Sequence, residues 1–240
     1  MAYQSVFKRY ELKYLLTPEQ QNLITDAMKE YMSIDHYGST QIRNIYYDTD
    51  NFRLIRSSID KPLYKEKLRL RSYEASGGAD PVFLELKKKY DGIVYKRRLQ
   101  MPYDQAVAWL SGDQSNMPNS QIGREIGWFM EFYKDLRPKV FLSYERQAWY
   151  ITDGSDFRVT FDQNIQSRTE NLQLSSSCSG VALLPPDTVL MELKTSGGIP
   201  LWMTRILTEN QIYKTSFSKY GTAYQKTIFK GGIEYARSII

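Results

Sequence analysis

A single cysteine, Cys178, and a single histidine, His36, occur among the 240 residues. One cysteine cannot form an intrachain disulfide, which agrees with a reducing compartment. Structural zinc sites need about four Cys or His ligands and catalytic zinc takes several, so zinc chemistry is disfavoured. A serine or cysteine triad would have to recruit His36, which lies in the polar stretch Ser33-Ile34-Asp35-His36-Tyr37-Gly38 and reads as an exposed loop residue. No segment approaches about 18 uninterrupted apolar residues, the length a membrane helix needs. The opening Met1-Ala2-Tyr3-Gln4-Ser5-Val6-Phe7-Lys8-Arg9 lacks the apolar core of a signal peptide. The expectation is a soluble, cytoplasmic chain with no transmembrane segment of its own. Chemistry is left to carboxylates, Lys, Arg and Tyr, and any metal would be a hard, oxygen-liking ion such as Mg2+ or Mn2+.

What is present supports a folded chain: 42% hydrophobic residues, 19 Tyr, 10 Phe and 4 Trp argue against disorder. With no internal repeat and no linker, residues 1–240 are expected as one domain. Alternation and β-branched or aromatic content predict eight strands, over 6–16, 41–48, 63–74, 82–90, 93–101, 139–151, 157–165 and 188–195. Gly77-Gly78 and Asp91-Gly92 supply hairpin turns, and Asp153-Gly154 a third. Thr17-Pro18-Glu19-Gln20 starts a helix, with Thr17 as N-cap, Pro18 at the first position and Gln20 completing a capping box. Further helices are expected over 104–110, 121–134, 201–211 and 219–229, and a long loop over 174–186. The pattern is a largely antiparallel α+β meander.

The net charge of +5, from 32 basic and 27 acidic residues, is modest. Its placement is not. Lys13, Lys67, Arg69, Arg71, Lys87, Lys96, Arg98, Arg146, Arg158 and Lys194 fall on one alternation face, clearest in Lys67-Leu68-Arg69-Leu70-Arg71. Only Glu11, Glu85, Asp162 and Glu192 share that face. Like charges about 4 Å apart repel by roughly 4 kcal/mol at an effective dielectric near 20, a cost that a bound anion would remove. The face could be a solvated surface of an open sheet; the local bias favours a focused field inside a closed barrel.

These motifs, in this order, resemble the VTC-type polyphosphate polymerase domain, of the triphosphate tunnel metalloenzyme (CYTH-like) superfamily, over nearly the whole chain. The resemblance implies a closed antiparallel eight-stranded β-barrel with flanking helices. Arg9-Tyr10-Glu11-Leu12-Lys13-Tyr14 resembles the family's first strand, whose lysine contacts phosphate, and Arg69 and Arg71 resemble its paired arginines. Lys87 and Lys96 resemble phosphate ligands of the next two strands. Arg146 and Arg158 resemble the arginines of the following hairpin, and Lys219 the lysine of the closing Ser218-Lys219-Tyr220 motif. By resemblance these cations, with Lys13, form the catalytic set. Arg9, Arg98, Tyr144, Lys194, Lys214 and Ser218 would bind substrate. Glu192 resembles the metal-holding acid, with Glu11, Glu85 and Asp162 as further candidates for Mn2+ or Mg2+.

Two departures stand out. Arg9 replaces the first glutamate of the superfamily's Glu-x-Glu-x-Lys opening, which argues against its two-metal hydrolase and cyclase branches. Ser216 replaces a lysine often found two residues before the closing serine, for which Lys214 is a substitute. The function implied is a metal-dependent polyphosphate polymerase, moving the γ-phosphate of ATP to a growing polyphosphate chain. Metal-dependent tri- or polyphosphatase and non-catalytic polyphosphate or nucleotide binding remain alternatives. The expected partners are ATP, polyphosphate and a membrane protein, with no nucleic acid.

Overall fold

Side chains two apart share a face of a strand, and that period organises the computed structural model, which describes residues 7–229, with side chains from Tyr10 onward. Val6, the first residue of the first predicted strand, lies outside the described residues. In chain order the elements are β1 (Phe7–Leu16), α1 (Pro18–Met28), β2 (Met32–Asp48), α2 (Arg53–Ile59), β3 (Tyr64–Ser72), β4 (Pro81–Tyr90), β5 (Ile93–Pro102), α3 (Tyr103–Leu110), α4 (Gln121–Tyr133), β6 (Arg137–Ile151), β7 (Arg158–Arg168), β8 (Val181–Ala182), β9 (Val189–Thr195), α5 (Leu201–Glu209) and α6 (Lys219–Ala223). A π-helical turn, Tyr224–Ile228, continues α6.

Local signals explain many boundaries. Thr17 accepts from the Gln20 amide at 3.3 Å while the Gln20 side chain accepts from the Thr17 amide at 3.1 Å, so the capping box forms. Asp91 and Gly92 take φ of 44° and 78°, the left-handed pair that fits the twist of a two-residue hairpin, and Tyr90 pairs with Ile93 across it. No local signal marks α2, because its cap comes from the preceding strand. Phe52 at the N-cap gives no side-chain bond. Asp48 instead accepts from the Leu54 amide at 2.9 Å and the Ile55 amide at 3.0 Å.

All ladders are antiparallel, in the order β6-β2-β3-β4-β5-β1-β9-β7-β8, and β6 also pairs with β7. The sheet therefore curls around a common interior, but the expected closed eight-stranded barrel is not what forms. Among the described residues the sheet has nine strands, and the β1–β5 ladder spans only Phe7–Arg9 against Val94–Lys96. Beyond Arg9, β1 pairs with β9, and Lys13 forms an isolated bridge to Thr215. The far side of β7 is divided as well, between β9 at residues 158–162 and β8 at Gln166 and Ser167. The physical reason is offset: β1 runs past the tight β4–β5 hairpin, so among the described residues the two strands overlap only at their ends.

Three other expectations shift. Strand β2 begins at Met32, so His36 is an exposed strand residue and not part of a loop. Helix α2 and strand β8 are additional, β8 lying in the expected loop over 174–186. Among the described residues, no helix is long and apolar enough to cross a membrane.

Apolar residues of the outer sheet face meet the helices. Leu68, Leu70, Leu84 and Leu86 are fully buried with Trp109 of α3 and Ile126 and Phe129 of α4. Tyr14, Val159, Phe161 and Leu193 pack with Ile24 of α1 and Met203 of α5. A third cluster lies on the interior side, where Ile42, Tyr46, Leu142, Tyr144 and Leu190 meet Ile55 of α2 and Tyr220 of α6. Each fully buried leucine contributes about 1.5–3 kcal/mol. Leu68 is 0% exposed and Leu63 is 62% exposed. Leu68→Ala is expected to lower unfolding free energy by about 2–5 kcal/mol, and Leu63→Ala to change it by less than about 0.5 kcal/mol; urea titration of both variants checks the contrast.

Candidate functional site

The interior face carries the charge that the outer face rejects. Its first centre is Glu85 on β4, 1% exposed. Register places Arg69 and Arg98 directly across from it on the neighbouring strands. Arg69 donates from Nε at 2.8 Å, Arg98 from Nε at 2.6 Å, and Lys96 approaches at 2.6 Å, with Arg71 at 3.7 Å. Burial alone would raise this carboxyl, but Arg71, Lys96, Arg69 and Arg98 outweigh it and hold Glu85 well below the usual range. Arg71 also donates to Asn44 at 2.9 Å and to the Tyr144 hydroxyl at 3.1 Å, while Arg69 donates to the Tyr46 hydroxyl at 3.0 Å.

A second centre joins β6, β7, β9 and α6. Arg146 grips Asp162 with Nε and Nη2, both at 2.6 Å, and Lys219 reaches Asp162 at 2.5 Å and Glu192 at 3.2 Å. Arg146 and Lys194 meet the other Glu192 oxygen at 3.2 and 2.8 Å. Burial opposes ionisation of both acids, yet their cation partners keep both below the ordinary range. Tyr144 is 1% exposed beneath this group, with Lys219 and Arg146 over its ring at 4.6 and 5.1 Å. Glu11 extends the second centre toward β4: it pairs with Lys87 at 2.8 Å and with Lys13 at 3.4 Å, and Lys13 lies 3.7 Å from Glu192.

Toward the β4–β5 hairpin, away from the β3–β4 connection, the balance changes. Lys67 sits opposite Lys87, and Lys65 opposite Lys89, cross-strand like charges that destabilise a sheet. Among the described residues no carboxylate pairs with Lys67, which donates to the Ser218 hydroxyl at 3.0 Å. Burial first, then Lys13, Lys87, Lys65 and Arg69, push its ammonium down to about 7. Burial likewise lowers Lys194 to about 8 against the pull of Glu192. Ser218 also caps α6 by accepting from the Gly221 amide at 3.1 Å.

The structure thus brings Lys13, Arg69, Arg71, Lys87, Lys96, Arg98, Arg146, Lys194, Lys219, Tyr144 and Ser218 into one interior with the four acids. Arg158 lies at its edge, opposite Lys194 in register, with its guanidinium over the Tyr150 ring at 4.6 Å. Lys214 is exposed on the segment after α5. The Arg9 side chain lies outside the described residues. Sequence reasoning overlooked Tyr46, Asn44, Lys65 and Tyr73, whose hydroxyl accepts from Arg98 at 2.8 Å. Parity with Lys67 and Arg71 marks Lys65 and Tyr73, whereas Tyr46 and Asn44 emerge only from the pairing of β2 with β3.

The four acids differ as metal donors. Guanidinium groups hold Glu85 and Asp162, and Arg146 also reaches Glu192, which shares the ammonium of Lys13 with Glu11. Two carboxylates sharing a cation suit a hard ion whose remaining ligands are phosphate oxygens and water. Among the described residues, no group of three or more His, Cys, Asp or Glu forms a metal cluster. Chemically, a multivalent anion fits an interior with an excess of cations in fixed positions.

A family model described as VTC domain matches residues 8–228. Comparison with curated proteins gives no match. Among solved structures, one of a candidate adenylate cyclase from Bacillus halodurans is similar, with a TM-score of 0.58 at 16% identity, covering 94% of this chain and 100% of that one. A candidate adenylyl cyclase from Hippeastrum, described as having a dominant triphosphatase activity, gives a TM-score of 0.53 at 17% identity, covering 91% and 96%. At these identities the likeness is one of fold.

An anion beside Lys67 favours its charged form, so binding above pH about 7 takes up a proton. Tripolyphosphate affinity, followed by calorimetry at constant ionic strength, is expected to be greatest below that pH and to weaken as pH rises above it. Lys67→Met should remove the share of this proton uptake that Lys67 carries, leaving that of Lys194 and the ligand's own titration.

Proposed function

Because the chain belongs to the VTC domain family, we propose that it is a polyphosphate polymerase, which transfers the γ-phosphate of ATP to the end of an inorganic polyphosphate chain. The observation that favours synthesis over hydrolysis is that each acid of the interior is paired with cations. Glu11, Glu85, Asp162 and Glu192 are all held below the ordinary carboxylate range by their cation neighbours, and such carboxylates are poor bases for activating water. A terminal phosphate needs no base, being an anion already near neutral pH.

Phosphoryl transfer asks the protein chiefly for alignment and charge neutralisation. Arg69, Arg71 and Arg146 are held by Glu85 and Asp162, so their forks meet phosphate oxygens without first being ordered. Lys13, Lys87, Lys96 and Lys219 add charge around the transferred group. Arg98 and Lys194 flank them, and Arg158 marks the edge from which a nucleotide would enter. Glu192 and Glu11 would hold Mn2+ or Mg2+, which neutralises charge on the phosphate oxygens when bound. An oxygen of the acceptor's terminal phosphate forms the new bond to the γ-phosphorus as the bond to the β-phosphate oxygen breaks, and ADP leaves with that electron pair.

Incubation with ATP and Mn2+, followed by sizing of the phosphate products, is expected to give ADP and long chains. Free phosphate would identify a tri- or polyphosphatase, and tight binding without turnover a binding module. Glu192→Gln is expected to reduce synthesis at least tenfold; unchanged synthesis would refute its role as metal ligand. Charge-assisted bonds are worth about 1.5–3 kcal/mol each, so alanine at both Arg69 and Arg71 should weaken tripolyphosphate binding about a hundredfold or more. Equal affinity would refute the phosphate-binding interior.

A further inference from the structure

Two cations of the interior, Arg69 on β3 and Lys219 on α6, are tied to one another by groups that touch neither Glu85 nor Glu192. The Arg69 guanidinium donates from Nη1 to the Tyr46 hydroxyl at 3.0 Å. The Tyr46 ring stacks on Tyr220, centroids 4.6 Å apart and planes 20° apart, an arrangement worth more than its buried area alone. Tyr220 follows Lys219 directly, and its hydroxyl donates to Asp48 Oδ2 at 2.9 Å. Asp48 is 0% exposed and is fixed in turn by the Leu54 and Ile55 amides that it caps.

We propose that Tyr46 and Tyr220 are positioning residues which, braced on Asp48, hold Arg69 and Lys219 at the spacing that grips a phosphate chain from two sides. Helix α6 has five residues and its π-helical continuation five more, and a helical run that short needs tertiary anchors to persist. Ser218 anchors its start through Lys67, and the Tyr220–Asp48 bond supplies an anchor on the opposite side of Lys219. Burial and the neighbouring Asp48 push the Tyr220 phenol upward, which keeps its proton available to donate. The Tyr46 hydroxyl gives Arg69 a third restraint beyond the two nitrogens on Glu85.

The inference rests on the phosphate-binding part of the proposed function, and the test separates the two. Tyr220→Phe and Tyr46→Phe keep both rings and remove one hydroxyl each. Tripolyphosphate binding is measured by calorimetry for each variant, for Lys219→Met and Arg69→Met, and for the matching double variants, with thermal melting to confirm folding. Each phenylalanine variant is expected to bind about fivefold more weakly, the equivalent of one hydrogen bond. That loss should vanish for Tyr220→Phe in the Lys219→Met background and for Tyr46→Phe in the Arg69→Met background. It should persist when either is combined with Lys96→Met. Equal losses in every background would mark a general structural effect and overturn the positioning role while phosphate binding stands. No loss in either single variant would overturn it equally. If the unaltered protein bound no tripolyphosphate, both the proposed function and this inference would fall.

Discussion

Repulsion among cations confined to one interior is the constraint to which the rest of the structure answers. Each carboxylate there serves several cations, most completely at Glu85, where Arg69, Arg71, Lys96 and Arg98 converge. Desolvation makes such groups costly unless every charge is paired and bonded. The chain meets that cost by placing leucines on the reverse face of the same strands, so that the residues carrying Arg69 and Arg71 alternate with fully buried Leu68 and Leu70. Strand period thus couples the driving force of the fold to the chemistry of the site.

Much of this was legible in the sequence because parity is a local property. Once Lys67-Leu68-Arg69-Leu70-Arg71 is read as a strand, the side on which each residue lies follows, and the same reading placed Glu85, Asp162 and Glu192 among the cations. What could not be read depends on contacts between distant segments. Helix α2 is capped by Asp48 through bonds that span six and seven residues. Tyr46 joins the site only because β2 lies beside β3. The closed eight-stranded barrel failed on the same ground: local alternation gives strands, but not how far two neighbours overlap, and β1 meets β5 only at Phe7–Arg9 among the described residues. The two-residue β8 has no run long enough to show a period.

Order within the site is set unevenly. Around Glu85 and Asp162 the guanidinium groups are fixed by several bonds each, an arrangement that pre-organises recognition and lowers the entropy lost on binding. Near Lys67 and Lys65 the cations face one another across the β3–β4 ladder and are held by a hydroxyl and a backbone carbonyl. The first region has the rigidity that chemistry asks of a site; among the described residues the second leaves the ammonium groups of Lys67 and Lys65 without carboxylate partners.

In the proposed phosphate-binding role, the lowered ammonium of Lys67 would make the site a charge regulator. Near neutral pH an empty interior sheds part of its positive charge and so relieves its own repulsion; an arriving polyanion restores it by drawing a proton. The field is strongest when the load is most negative. Such an interior would select by valence: a multiply charged phosphate terminus would recruit the extra proton that a monovalent anion of similar size does not.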